Sequence, residues 1–295
     1  MPSLKEVRIR IESIKSTQQI TSAMKLVAAS KLRRTQNAVQ ALAPYASKLR
    51  EILGNLSSSV DTTDEAVYTA SRSVQKVLLV VLTSNRGLCG PFNTNVIKAT
   101  RAYIDQHYSE LNSNGHLDLF TIGKKATDFF SKSKYNVAHS KNEIYDTLTF
   151  VNTTAIAEDL MAAFASKKYD KIEIIYNHFK NAGQQVITVD QYLPIQPVVV
   201  KDAKVDKQQA DYIFEPEKTV LIRELLPKML KVQLYKIILD SYAAEHGARM
   251  TAMAQATENA KELLKELKLS YNKARQASIT KELLEIVSGA EALKG

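Results

Sequence analysis

Residues 3–57 read SLKEVRIRIESIKSTQQITSAMKLVAASKLRRTQNAVQALAPYASKLREILGNLS. Apolar side chains recur at three- and four-residue spacing: Leu4, Val7, Ile11, Ile14, then Ile20, Met24, Val27, and later Leu32, Val39, Leu42, Leu49, Leu53, Leu56. Pro2 sits just ahead, and no glycine appears before Gly54. The pattern predicts one long helix. The step from Ile14 to Ile20 breaks the heptad phase, which would change the supercoil locally. Pro44 is expected to kink or weaken the helix near Leu42.

Residues 217–293 predict a second, longer helix. Pro216 precedes it, Pro227 should bend or briefly break it, and only Gly247 and Gly289 interrupt it thereafter. An isolated helical glycine costs just ~1 kcal/mol. The helical rise gives the two segments lengths of roughly 80 and 100 Å, against about 40 Å for a compact body of this chain length. These helices are therefore expected to project from any globular part. A long helix cannot bury its apolar stripe alone, so the two ends should wind into an antiparallel coiled coil. Seven alanines at 243, 244, 248, 252, 254, 256 and 260 face, in the simplest register, Ala23, Ala28 and Ala29. That register sets Met24 near Met250 and Met1 near residues 270–275. The last twenty or so residues, about 30 Å of helix, then project unpaired. Their Ile279, Leu283, Leu284, Ile286 and Val287 need an apolar sleeve from elsewhere.

Between the helices the periodicity changes. Lys76–Thr83, KVLLVVLT, is a continuous apolar run of the kind found in buried parallel strands. Phe92–Glu110 reads as helix, Leu117–Ile122 as strand and Lys124–Ser131 as a short helix. Thr153–Lys167 reads as helix, Lys171–Tyr176 as strand, and Gln184–Tyr192 as a strand ended by Pro194 and Pro197. This alternation predicts an open, largely parallel α/β sheet. The fold class is thus mixed α and α/β: a long antiparallel coiled coil of the N- and C-terminal helices plus a central Rossmann-like α/β domain. The division is 1–60, 61–216 and 217–295, with polar 61–75 and 198–212 as connections.

Composition narrows the function. The chain has 295 residues, 9 Gly and 7 Pro, which excludes collagen-like and low-complexity classes. One cysteine excludes a disulfide framework and a cysteine-based zinc site. No run of 18 apolar residues occurs, and the N-terminus lacks a signal-peptide pattern. The net charge of +9 sits at the ends: residues 1–60 hold 10 Lys+Arg against 3 Asp+Glu, and residues 217–295 hold 13 against 10. Such basic elements attract nucleic acid, anionic lipid or acidic protein surfaces.

Individual motifs carry little catalysis. Thr83-Ser84-Asn85-Arg86-Gly87-Leu88-Cys89-Gly90-Pro91-Phe92-Asn93 follows a strand and precedes a helix, as a phosphate-binding turn would. It is neither G-x-G-x-x-G nor Walker A, and a tight structural turn is the better reading. Cys89 has no histidine near it in sequence and reads as a buried thiol. Glu245-His246-Gly247-Ala248-Arg249 lacks the spacing that sets two imidazoles on one helix face, and its polar side chains read as surface or interhelical contacts. Arg275 and Gln276 are donor-rich and could clamp a partner's carboxylate. No paired carboxylates or Ser/His/Asp arrangement stands out. The residues argue for an interaction protein built around a rod.

Three blocks carry a resemblance over essentially the full length. They are residues 9–36, containing RIESIKSTQQITSAMKLVAASKLRRTQ; residues 82–93, LTSNRGLCGPFN; and residues 245–293, EHGARMTAMAQATENAKELLKELKLSYNKARQASITKELLEIVSGAEAL. The chain closely resembles the gamma subunit of the F-type ATP synthase. The resemblance implies a central-stalk rotor that transmits torque between a membrane c ring and an alpha/beta hexamer, and regulates ATPase activity and proton flow. One copy per complex would also contact the epsilon subunit. It implies no catalytic residue, no metal and no cofactor on this chain, with ATP, ADP and Mg held by partner subunits. The positions matching family contact sites are Met24, Arg249, Arg275, Gln276, Thr280 and Glu282. Arg275 and Gln276 match the pair facing a carboxylate-bearing loop of beta, and Met24 faces beta's acidic lever region. A two-cysteine regulatory segment of the chloroplast branch has no counterpart beside the lone Cys89. The expected location is peripheral, on the cytoplasmic face of a bacterial inner membrane. The alternative is a basic coiled-coil arm on a nucleic-acid-binding α/β protein, which would need a nucleotide signature and an aromatic-studded basic surface; neither is present, and no nucleic acid is expected as a partner.

Overall fold

The computed structural model describes residues 3–57, 66–69, 72–195 and 218–292. Helix α1 spans Leu4–Ser57 and α2 spans Ala66–Thr69. Strand β1 (Val77–Leu82) is followed by α3 (Phe92–His107), α4 (Ser109–Ser113), β2 (Leu117–Ile122), α5 (Lys124–Phe130) and β3 (Asn136–Ser140). A short 3-10 turn at Glu143–Tyr145 leads to α6 (Phe150–Ala165), β4 (Lys171–Asn181), β5 (Gln184–Leu193) and α7 (Lys218–Ala292). Helical termini thus flank a central sheet. The expected connection at 198–212 lies outside the described residues, as do 61–65, 70 and 71 of the one at 61–75.

The described residues form two compact units: one joins the segment up to Ala29 with that from Arg249, and the other spans Ser30–Ala248.

In the larger unit the sheet order is β3-β2-β1-β4-β5. β1 pairs in parallel with β2 and β4, and β2 with β3. β5 returns antiparallel on β4 through a two-residue turn at Ala182-Gly183. The run VLLVVL is buried at every position because β1 is central and both faces are covered. Leu78, Val80 and Leu82 join Ile156, Leu160 and Phe164 of α6 and Leu230, Leu234 and Ile238 of α7. Val77, Leu79 and Val81 meet Val96 and Ile104 of α3 and Phe130 of α5 on the other face. β3 breaks the sequence-based expectation. Only Val137 and Ala138 of its five residues are apolar, and none is fully buried, so no apolar run marks this edge strand.

Neither proline interrupts its helix. Pro44 lies inside α1 and Pro227 inside α7. An internal proline costs ~3 kcal/mol. Burial of Leu226 and Leu230 beside Pro227, and of Leu49 and Leu53 beyond Pro44, offsets that cost.

In the smaller unit the two helices pair as an antiparallel coil. Thr257 Oγ1 donates to Thr21 Oγ1 at 2.8 Å. This sets the helices about one turn away from the Met24–Met250 register. The phase break expected at Ile20 also does not occur. Up to Thr21 the buried or half-buried positions are Leu4, Val7, Ile11, Ile14, Gln18 and Thr21, which keep a seven-residue repeat; Met24, Ala28 and Ala29 follow. Ile20 and Val27 instead turn outward, each 57% exposed. The seam includes Thr21, whose hydroxyl meets that of Thr257, and the small Ala28. A pattern reading that counts only large apolar residues therefore follows the wrong face.

Candidate partner-binding surface

The polar residues of the turn after β1 are engaged internally. Ser84 N–H donates to Asn93 Oδ1 at 2.9 Å, and Asn93 Nδ2 donates to Ser84 Oγ at 2.8 Å and to Cys89 Sγ at 3.2 Å. Ser84 Oγ donates to the Arg86 carbonyl at 2.6 Å. Leu88 and Gly90 both take positive φ, 62° and 57°, the geometry of a tight turn. Cys89 is buried with Phe92 against Ala244 and Ala248 of α7. These contacts agree with a structural turn and a packed thiol.

The Glu245–Arg249 run is not surface. Glu245 and His246 are buried. Tyr145 stacks on Tyr242 with ring centroids 5.7 Å apart, and the Tyr242 ring meets His246 edge-on at 4.4 Å. Burial, reinforced by the Glu245 charge, pushes the Tyr145 phenol well above its ordinary pKa. The sequence reading left surface and interhelical contact both open, because polar letters at helix spacing look like a solvated face. Among the described residues no group of His, Cys, Asp or Glu could hold a metal ion, and no helix is long and apolar enough to cross a membrane.

The smaller unit behaves differently. Every residue from Ile279 to Ala292 of α7 is exposed. Ile279 is 50%, Leu284 64% and Ile286 68% exposed, with Leu283 and Val287 similar. Contiguous exposed apolar surface of this kind marks an interaction site. The α1 coil face adds Ile9, Ile20, Leu26 and Val27, all more than half exposed. Sequence reasoning missed these four as surface, having placed Ile20 and Val27 in the seam.

Of the residues expected from the resemblance, Thr280 and Glu282 fall on this exposed stretch, and Arg275 and Gln276 lie just before it. Arg275, Gln276, Thr280 and Glu282 occupy about two turns of α7 and are all exposed. Thr280 Oγ1 bonds the Gln276 carbonyl at 2.9 Å, and Ser278 Oγ donates to Glu282 at 3.2 Å. Arg275 makes no ion pair among the described residues, so its five donors remain open to a carboxylate. Met24 is half-buried in the two-helix section, one turn from Thr21. Arg249 is buried, at 8% exposure. The structure therefore groups four of the six residues and leaves Met24 and Arg249 on another stretch of the coil.

Comparison with known proteins agrees with this architecture. A family described as ATP synthase matches residues 3–293. The ATP synthase gamma chain of Flavobacterium johnsoniae is 53% identical over 100% of both chains, and that of Christiangramia forsetii 52% over 100% of both. A chain in the Euglena gracilis mitochondrial ATP synthase, in a structure of OSCP, F1 and c-ring, superposes with TM-score 0.68 at 22% identity, covering 98% of this chain and 94% of that one. A chain of the same organism's rotor superposes with TM-score 0.63, covering 94% and 98%. Full-length similarity at this level, on a coil-plus-sheet fold with a bare apolar helix end, places the chain in the ATP synthase gamma chain family.

Proposed function

We propose that the chain is the rotor of the central stalk, turning with the c ring and carrying torque to catalytic sites on partner subunits. The observation that carries this reading is the bare apolar end of α7. Fourteen consecutive residues, 279–292, keep helical structure while exposed among the described residues. In a family built into ATP synthases, a ring of alpha and beta subunits is the natural sleeve. Arg275 and Gln276 would then meet a carboxylate-bearing loop of beta, with Thr280 and Glu282 beside them. Met24 would face an acidic lever of beta, and Arg249 would hold the coil section behind it.

A rotor must be stiff and asymmetric. Two wound helices supply stiffness. Exposing different residues at each azimuth gives chemically identical sites unequal neighbours, so their affinities for nucleotide differ. The basic excess of the first sixty residues adds screened attraction to acidic levers without locking one angle. In this reading the chain binds no ATP, ADP or Mg itself, influences ATPase activity and proton flow mechanically, contacts epsilon and the c ring, and sits peripherally at the cytoplasmic face of a bacterial membrane.

The test is purification of the tagged chain from detergent extracts. Alpha and beta should co-purify with ATPase activity, and a bead attached to the sheet unit should rotate on ATP addition. Recovery of RNA in place of those subunits, or hydrolysis with a stationary bead, would overturn the assignment.

A further inference from the structure

We propose that a cleft in the Ser30–Ala248 unit binds a small organic anion: an apolar body carrying one or two oxyanion groups. The cleft lies among the C-terminal half of α1, the β4–β5 edge of the sheet and the early part of α7. Its volume is 630 Å³, within the roughly 300–1,000 Å³ range of small-molecule sites. Three cations from three separate elements line it: Arg50 of α1, Lys171 of β4 and Lys236 of α7. Gln233 adds an amide, and Leu49 and Val232 supply apolar wall.

Two carboxylates also reach this wall, and both are engaged by the fold. Glu173 is buried and accepts from Tyr103 Oη at 3.0 Å, Tyr108 Oη at 3.0 Å and Lys171 Nζ at 2.6 Å. Asp190 accepts from Tyr176 Oη at 2.9 Å. Lys171 spends a second donor on Tyr108 Oη at 3.1 Å, which leaves one of its three. Arg50 and Gln233 make no hydrogen bond or ion pair among the described residues. Lys236 acts on Asp240 only at long range, as a charge. The unspent polar capacity of the cleft is therefore chiefly that of donors, set beside apolar wall. A planar guanidinium and two ammonium groups suit phosphate, sulfonate or carboxylate oxygens.

The probe is 1-anilinonaphthalene-8-sulfonate, with inorganic phosphate as competitor. It is titrated into the full-length chain and into the assembled complex. We expect one saturable site in both, displaced by millimolar phosphate. On binding, hydrogen-exchange protection should fall on 189–192 and 229–236, not on the apolar end at 279–292. Arg50→Glu with Lys236→Glu should weaken that site at least tenfold while the urea unfolding midpoint stays put; Arg50→Lys should retain it. Protection confined to 279–292, affinity indifferent to charge reversal, or a site present on the free chain but closed in the complex would each overturn the proposal. The last result would mean that a partner subunit fills the cleft.

Discussion

Asp240 of α7 is largely buried, with His178 Nδ1 2.5 Å from its Oδ2 and the Phe179 N–H 3.4 Å from its Oδ1. Burial pushes its pKa above the ordinary carboxylate value, and His178 and that N–H only partly offset the shift. The folded state thus holds the Asp240 proton more tightly than the unfolded chain does. Stability from this group is present at acid pH and falls as pH rises through its titration. Asp240→Asn should remove that slope, read as urea midpoints followed upward in pH from the ordinary carboxylate range. Met24 calls for an activity measurement instead. Half-buried and uncharged, it would, in the proposed rotor, let an acidic partner surface slide past. Met24→Lys should add an ion-pair option and lower the proton-pumping yield per ATP hydrolysed in membrane vesicles; an unchanged ratio would remove Met24 from the contact set.

At the scale of elements, two glycines of α7 make opposite predictions. A Cβ on Gly247 would lie 3.0 Å from the Phe179 ring and 3.2 Å from the Ala182 Cα, because the β4–β5 turn packs directly on the helix. Gly247→Val should destabilise by about 1–3 kcal/mol through overpacking. Gly289 has nothing within 4 Å. Gly289→Ala should slow hydrogen exchange in the last turns of α7, a local gain of up to about 1 kcal/mol. Much of this level was legible in advance. β1, β2 and both long helices announce themselves through unbroken apolar runs or sustained helical spacing. β3 did not, because an exposed edge strand needs no apolar signal. The prolines misled because their local cost is smaller than the burial on either side. The coil seam misled because its Thr21 and Ala28 are not large apolar residues. Arg275 and Gln276 stood out as donor-rich, whereas Thr280 and Glu282 were visible only through resemblance, since exposed polar letters on a helix look alike. The cleft could not be read at all: Arg50, Lys171 and Lys236 come together only in three dimensions.

For the molecule as a whole, the described residues divide into a sheet unit satisfied by its own chain and a coil unit that is not. Ile279, Leu283, Leu284 and Ile286 are each at least half exposed, so replacing them by serine removes little packing among the described residues. The urea midpoint should therefore move by less than about 0.5 kcal/mol equivalent, while the yield of alpha and beta on a tagged chain should drop severalfold. A large loss of stability in the isolated variant would instead show that those side chains have an intramolecular partner.

The same bare helix end bears on the life of a newly made copy. A chain translated ahead of its companions carries several large aliphatic groups in water, the kind of surface that chaperones hold and that precipitates when crowded. Orphan copies should turn over faster than assembled ones, so that cellular supply is trimmed to the number of available seats without a dedicated regulator.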